Sequence, residues 1–208
     1  MEKITITRGL AELKLLDQRI QKEISTAVFM DVYQDRSSKV LKTQMVRADF
    51  EKKAKSDFDS IAALVKRRNA IKGKILLSNA MTKVSIAKVE MSVAEAIDMK
   101  GAIRYEQAML ARMKHNMQVI KTDVENNRVK VNATVEAMMT QALGNDKKAS
   151  GDEWDKIAKP FIEANEYKIV DPMGLQNWID WSEKMIDGFL SEVDFVLSES
   201  NARTEIEI

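Results

Sequence analysis

The sequence contains no cysteine and a single histidine, His115, among its 208 residues. Without cysteine the chain has no disulfide, no thiolate metal ligand and no cysteine nucleophile, and one histidine cannot form the clusters that bind zinc. We therefore expect neither a metal nor a cofactor. His115 stands between Lys114 and Asn116, off the main apolar pattern, and we interpret it as a surface residue.

Long apolar runs and an excess of one charge are also missing. No stretch approaches the roughly 18 consecutive apolar residues that can span a bilayer, and the N-terminus lacks the basic-then-apolar pattern of a secretory signal. Lys and Arg total 33 against 32 Asp and Glu, so the net charge of +1 gives no general attraction to nucleic acid or an anionic membrane. These absences predict a cytoplasmic protein with no membrane partner and with nucleic acid as an unlikely one.

Glycine and proline are scarce, at 7 and 2 residues, whereas strong helix formers dominate and 45% of the residues are apolar. Apolar residues three and four apart predict a first helix, capped by Thr7 and reaching about Tyr33. The same spacing predicts a second helix from about Ala48 to Asn79, with Phe58 on its apolar stripe. The chain should therefore form a helical core.

A short β-hairpin is predicted between the second and third helices. Apolar and polar residues alternate over 83–93, although the pair at its centre, Ala87-Lys88, is a poor tight turn. Ser92 followed by Glu95 forms a capping box, so the third helix begins at Val93 and continues to Leu143.

A seven-residue apolar repeat runs through this third helix and predicts a coiled-coil seam. The six seam positions are Ile103, Leu110, Met117, Val124, Val131 and Met138. At 1.5 Å per residue the helix would extend roughly 75 Å, more than the width of a compact domain of this length. We therefore expect a mainly α fold, an elongated antiparallel helical bundle or coiled coil, and a homo-oligomer formed through the seam.

The two ends of the chain read as short strands. Residues 3–7 (KITIT) and 204–208 (TEIEI) alternate apolar and polar side chains, and neither is stable alone. The expected partners are each other or the predicted hairpin. Lys3 opposite Glu205 or Glu207 would form a favourable cross-strand pair.

The remaining chain predicts shorter helices. Pro160 should kink or end one of them, and Asp171 with Pro172 should begin the last. We expect residues 1–143 to form a helical-hairpin and coiled-coil core with the β-hairpin. Residues 144–208 should add C-terminal helices, packed on the core, and the last strand, giving one structural unit.

Polar residues lie within the apolar stripe of the second helix, and they are the candidate site. If the second and third helices pack antiparallel, Glu106 comes within a turn of Arg68, which predicts a register-fixing ion pair. The alternative is a pocket for a phosphate or carboxylate. Its residues would be Arg67, Arg68, Asn69, Lys72 and Asn79.

Charge is unevenly distributed along the chain. Residues 39–74 contain 11 bases and 4 acids (11 − 4, net +7), whereas 183–208 contain 7 acids and 2 bases (2 − 7, net −5). The two segments could attract each other, within a chain or between chains, or both could be solvated helix faces. As a nucleic-acid surface the basic segment is weak, because it lacks a groove-docking motif and stacking aromatics.

Three stretches carry a resemblance to a known family. They are RRNAIKGKILLSNAMTKVSIAKVEMSVAEAI (67–97), KPFIEANEYKIVDP (159–172) and SEVDFVLSESNARTEIEI (191–208). They resemble a largely uncharacterised bacterial and phage family of helical proteins, some of whose members are labelled septicolysin-like. The resemblance implies a small helical protein with a hairpin, encoded by a phage as an accessory or virion component, and supplies no catalytic residue. The lytic label would require a membrane-inserting segment, and none is visible.

No nucleotide-binding, metalloprotease, serine-hydrolase or EF-hand motif occurs, so we predict that the protein is not an enzyme. The leading hypothesis is a helical scaffold, assembly factor or inhibitor that self-associates and binds another protein. The second is a binder that sequesters a small anionic ligand such as a nucleotide signal, and the third is nucleic-acid binding through 39–74. The expected location is the cytoplasm, which for a phage protein means the host cytoplasm or the virion.

Overall fold

The computed structural model describes residues 2–144 and 151–208, without the side chain of Glu153. Five helices and four short strands lie in this part of the chain, so the predicted mainly helical fold with a small β element is confirmed. In chain order they are β1 (Lys3–Thr5), α1 (Ile6–Thr26), α2 (Arg47–Met81), β2 (Lys83–Ile86), β3 (Val89–Ser92), α3 (Val93–Leu143), α4 (Gly151–Asn165), α5 (Leu175–Arg203) and β4 (Glu205–Glu207).

The chain divides into two compact units. Unit 1 comprises Met1–Gly101 with Gly188–Ile208, and unit 2 comprises Ala102–Asp187. The division follows packing rather than chain order, because the last strand returns to the first. The predicted boundary between 143 and 144 lies within unit 2, and the predicted single structural unit stays a prediction.

The two ends of the chain form an antiparallel pair, β1 with β4, which we call the clasp. Ile4 faces Ile206 across the pair, and Lys3 faces Glu207 with 3.3 Å between Lys Nζ and Glu Oε1. Backbone hydrogen bonds extend the pair to Ile208, whose N–H donates to the carbonyl of residue 2 at 3.0 Å. Of the two predicted partners, the ends pair with each other and not with the hairpin, and of the two predicted acids Glu207 rather than Glu205 lies opposite Lys3.

Below the clasp, α1 and α2 pack together around the core of unit 1. Its buried members are Ile4, Ile6, Leu13, Leu16, Ile20, Ile71, Ile75 and Ile206. Gly9 lets α1 approach this core closely: a Cβ at residue 9 would lie 3.2 Å from Cδ1 of Ile75 and 3.6 Å from that of Ile206. The clasp is therefore part of the core rather than an appendage.

The limits of α1 differ from the prediction at both ends. The N-cap is Thr5, whose Oγ1 accepts from the N–H of Arg8 at 3.2 Å, and not Thr7, because the strand ends two residues earlier. The helix ends at Thr26 rather than near Tyr33. The hydroxyl of Thr26 turns back onto the carbonyls of its own last turn, and the residues that follow form a loop with partners elsewhere.

The predicted apolar stripe of α2 is only partly buried. Phe50, Ile71 and Ile75 are buried, whereas Phe58 is 61% exposed. Over 35 residues the apolar stripe of a straight helix drifts around the helix axis, so one partner helix cannot cover the whole stripe. The N-terminal half of α2 therefore leaves apolar side chains exposed.

The predicted hairpin is present, and β2 pairs with β3 with Ile86 opposite Val89. Ala87 and Lys88 form its turn with positive φ angles of 50° and 66°, which non-glycine residues rarely adopt. The turn is held by α5. The N–H of Ala87 donates to Oε2 of Glu192 at 2.7 Å, and a Cβ at Gly188 would lie 3.3 Å from that of Ala87.

In unit 2, α3 and α4 share a small buried cluster of Val131, Val135 and Ala158. Helix α4 continues through Pro160, which was predicted to kink or end it. Phe161 and Ile162 pack against the same cluster, so apolar contacts on both sides of Pro160 offset the backbone hydrogen bond that proline cannot make.

Candidate binding surfaces

Arg68, the centre of the predicted site, is paired with α1. Its Nε donates to Oδ1 of Asp17 at 2.9 Å, and its Nη1 donates to Oδ1 of Asn69 at 3.3 Å. The sequence did not indicate Asp17 as a partner. Glu106 belongs to unit 2, so the predicted pair between Arg68 and Glu106 stays a prediction.

Arg67 is also engaged by carboxylates near the start of the chain. Its Nε lies 2.5 Å from Oε1 of Glu12, and its Nη2 lies 3.4 Å from Oε2 of Glu2. The hydrogen bond that Arg67 donates to the Glu12 carboxylate is the main cause that raises the pKa of Arg67. Of the other predicted pocket residues, Lys72 is exposed and Asn79 is half-buried. A small anion here would have to compete with carboxylates that already hold both arginines.

The acidic segment near the C-terminus is likewise paired within its own units. Glu183 pairs with Lys114, Glu192 with the N–H of Ala87, Asp194 with Lys100, Glu199 with Arg203 and Glu207 with Lys3. Much of the charge asymmetry seen in the sequence is therefore used inside the fold, which weakens the case for attraction between chains.

An apolar surface remains uncovered at the α1–α2 connection, and we call it the loop surface. Its most exposed side chain is Met30, at 84%. Its members are Phe29, Met30, Val32, Leu41, Val46 and Phe58. Phe29 and Phe58 form an edge-to-face pair with 6.4 Å between ring centroids, which joins the loop to α2.

The carboxylate of Asp31 holds this loop in place through four hydrogen bonds. Partial burial opposes its ionisation, but hydrogen bonds from the backbone N–H groups of Thr43, Lys42 and Val32 and from the Thr43 hydroxyl lower the pKa of Asp31 to about 2. Because the pKa falls from 3.8, the contribution of these bonds is present above pH 3.8 and is lost as the pH approaches 2. Val40, which is buried, pairs with Tyr33 in a β-bridge and anchors the loop further.

Unit 2 contains a groove of about 820 Å³ between α3 and the α4–α5 connection. Its lining is Asn116, Met117, Ile120, Lys121, Asp123, Val124, Tyr167, Lys168, Ile169, Val170, Asp171, Leu175 and Gln176. We call residues 166–174, which form one wall, the strap. In the described part of the chain, no backbone hydrogen bond involves Lys168, Ile169 or Val170.

Both ends of the strap are fastened. At its start, Asn127 on α3 donates from Nδ2 to the carbonyl of Asn165 at 3.1 Å and accepts from the N–H of Tyr167 at 2.8 Å. At its end, the carboxylate of Asp171 accepts from the backbone N–H groups of residues 173, 174 and 175. Asp171 was predicted to be the N-cap of the last helix, with Pro172 as its first residue, and this is wrong because α5 begins at Leu175. Asp171 instead accepts hydrogen bonds in the turn that precedes the helix. The groove therefore has a fixed wall.

The predicted seam of α3 is covered unevenly. Ile103 and Val131 are buried, whereas Leu110, Met117, Val124 and Met138 are half-buried. Met117 and Val124 line the groove, so the middle of the seam borders an open groove instead of being fully buried. The seam as an oligomer interface stays a prediction.

Two lysines and two aspartates line the groove. In the described residues, no ion pair involves Lys121, Lys168 or Asp123, and Asp171 is occupied by backbone N–H groups. Among the residues that the structure describes, the groove thus has two cations and one carboxylate without an ion-pair partner.

Two further properties concern the described residues only. No helix in 2–144 or 151–208 is long and apolar enough to cross a membrane. Nor, over the same ranges, do three or more His, Asp or Glu side chains form a group that could hold a metal ion. His115 is exposed, as predicted.

Sequence reasoning did not identify Asp31 or the groove. The first helix was predicted to reach about Tyr33, so the apolar residues of 27–33 were assigned to α1. The signal that could have revealed the loop is the run AVFMDVY (27–33), where apolar residues no longer follow helical spacing.

Comparison with known proteins gave no match: no family model, no curated protein and no solved structure is similar to this chain. The family resemblance of the three sequence stretches therefore stays an expectation, and function has to be argued from the surfaces above.

Proposed function

We propose that this protein is non-enzymatic and acts by binding protein chains, beginning with a second copy of itself, through the loop surface of unit 1. The observation that carries the proposal is an exposed apolar surface on a loop that four hydrogen bonds to Asp31 hold in place. Larger exposed apolar patches mark interaction sites on soluble proteins.

The composition of the loop surface supports this proposal. Phenylalanine and methionine are enriched in the cores of protein interfaces, and Phe29, Met30 and Phe58 are all members. Full burial of a Met or Phe side chain stabilises a complex by about 1.5–3 kcal/mol. Because the loop is already ordered, little of this gain is lost to ordering it on binding.

A scaffold, assembly factor or inhibitor would use such a surface without chemistry at the site. Asp31, whose pKa is lowered to about 2, has a structural task in holding the loop, which supports a binding role. Nucleic-acid binding through 39–74 gains no support, since Arg47, Lys53, Arg67 and Arg68 of that segment are in ion pairs.

Light scattering and native mass spectrometry at micromolar concentration test the proposal. We expect the wild-type protein to be an oligomer and the double variant Met30→Glu, Phe58→Glu to be a monomer, because two carboxylates would be buried without partners. Phe195→Glu is the matched control: Phe195 is exposed on α5 in the same unit but outside the loop surface. A monomeric wild-type protein, or equal dissociation in the control, would count against the proposal.

The variant Asp31→Asn tests whether self-association needs the ordered conformation of the loop as well as its exposed apolar side chains. It leaves every apolar side chain in place but removes the charge that accepts from Lys42 and Thr43. We expect weaker self-association, of about tenfold, since the loop must then be ordered during binding. Unchanged association would show that the loop conformation does not matter.

A further inference from the structure

We infer that the groove of unit 2 is a binding site for one amphipathic anion, a molecule with an apolar chain or ring body and a single carboxylate, sulfonate or phosphate head. This site lies in a different unit from the loop surface and does not depend on the proposed function.

The size and walls of the groove suit a small molecule. Its volume of about 820 Å³ lies within the roughly 300–1,000 Å³ typical of ligand sites. Met117, Ile120 and Val124 form the α3 wall, and Ile169 and Leu175 face it from the connection to α5 and from α5 itself. An apolar body placed between these walls would cover Ile120, which is 45% exposed.

The charges of the groove favour an anionic head. Lys121 and Lys168 have no ion-pair partner among the described residues, whereas Asp171 is held by three backbone N–H groups. Together with the unpaired Asp123, these two lysines give the groove side chains that lack an ion-pair partner among the described residues a net charge of +1. The N–H groups of Lys168, Ile169 and Val170, without partners in the described chain, offer further donors to a carboxylate or phosphate.

The fixed strap means that the site is present before a ligand arrives. Asn127 holds the start of the strap and Asp171 holds its end, so the lining residues between them cannot simply collapse onto α3. A preformed wall lowers the entropy lost on binding. An extended peptide is the other occupant that unpaired backbone groups could attract, and the experiment separates the two.

Binding is measured with 1-anilinonaphthalene-8-sulfonate, a fluorescent apolar anion, followed by displacement with dodecanoate and with dodecanol. We expect dodecanoate to bind about tenfold more tightly than dodecanol, which has the same chain but no charge. In the double variant Lys121→Met, Lys168→Met this preference should disappear while dodecanol binding stays the same. Equal binding of the two in the wild-type protein would overturn the inference.

Two variants locate the site. Ile120→Glu, at a position that is 45% exposed, should abolish binding of the probe, whereas Met30→Glu on the loop surface should leave it unchanged. If Met30→Glu monomerises the protein and the groove still binds, the two proposals are independent. Probe binding that survives Ile120→Glu, or displacement by the peptide Val-Glu-Ile-Glu-Val but not by dodecanoate, would refute an amphiphile site.

Discussion

The clasp and the loop surface are made of similar side chains, yet they have opposite surroundings. In the clasp, Ile4 and Ile206 are 2% and 6% exposed, because α1 and α2 pack beneath the strand pair. At the loop surface, Met30 and Phe58 face solvent although Met30 adjoins Asp31, which hydrogen bonds hold in place, and Phe58 lies in α2. Both regions belong to unit 1.

The difference separates two uses of apolar residues. A buried isoleucine contributes to the stability of the chain itself, whereas an exposed methionine on an ordered loop contributes only when another molecule covers it. Hydrogen bonds to Asp31 keep the loop in one conformation without covering its side chains. In this protein a loop held by hydrogen bonds can therefore keep its apolar side chains exposed, whereas the isoleucines of the clasp are buried by packing.

The change with the largest expected effect on the free energy of unfolding is removal of the clasp. Deleting residues 204–208 takes away Ile206, the ladder to β1 and the bond from the N–H of Ile6 to the carbonyl of Thr204 at 2.9 Å. We expect urea denaturation to show a loss of about 3–5 kcal/mol in the free energy of unfolding, from lost burial and hydrogen bonds.

The matched change at the loop surface is Met30→Ala, which should alter the free energy of unfolding by no more than about 0.5 kcal/mol. If the deletion cost as little as this substitution, the clasp would not be part of the core. If Met30→Ala cost as much as the deletion, the loop surface would not be the exposed surface described above.

Substitutions at two glycines, one in the core and one on an open helix face, should give the next largest difference in stability. In Gly9→Leu the new Cβ would lie 3.2 Å from Cδ1 of Ile75. Overpacking of this kind lowers the free energy of unfolding by about 1–3 kcal/mol. Gly73→Leu on α2, where no atom lies within 4 Å of the added Cβ, should instead stabilise by up to about 0.8 kcal/mol through helix propensity. Thermal unfolding of both variants checks the sign, and a stabilising Gly9→Leu would show that the clasp is loosely packed.

The hairpin turn should respond in the opposite direction. Lys88 has a φ of 66°, which glycine adopts without strain, so Lys88→Gly should raise the free energy of unfolding by about 0.5–1 kcal/mol. Glu90→Gly, in the neighbouring strand with ordinary backbone geometry, should lower it by about 0.5–1 kcal/mol. Two losses of equal size would mean that the turn at Lys88 is not strained.

The features that the sequence predicted well are those set by near neighbours. The start of α3 follows from a capping box in which the N–H of Glu95 donates to Oγ of Ser92 at 3.1 Å, and the N–H of Ser92 donates to the Glu95 carboxylate. The terminal strands follow from alternation around Ile4 and Ile206, and the same alternation narrowed the partner of Lys3 to Glu205 or Glu207.

The features that it missed depend on distant partners. The loop that ends α1 is held by Asp31 through residues 11 and 12 positions away, and no local pattern selects Lys42 and Thr43 over other donors. Arg68 is paired with Asp17, 51 residues away, because α1 packs against α2 in the core of unit 1. The groove combines α3 with a connection that carries no periodic pattern. Sequence therefore predicted the elements better than the surfaces.

The smallest test concerns the ion pair of the clasp. Lys3 and Glu207 lie 3.3 Å apart, but their side chains are 64% and 52% exposed, so water and salt screen the attraction. We expect Glu207→Gln to lower the free energy of unfolding by about 0.2–0.5 kcal/mol at low salt and by nothing measurable at high salt. Glu205→Gln, on the same strand opposite Thr5, should have no effect at either salt concentration. A loss above about 1 kcal/mol for Glu207→Gln would mean that charge rather than isoleucine burial holds the clasp, and the contrast with the loop surface would then rest on electrostatics instead of on covered apolar area.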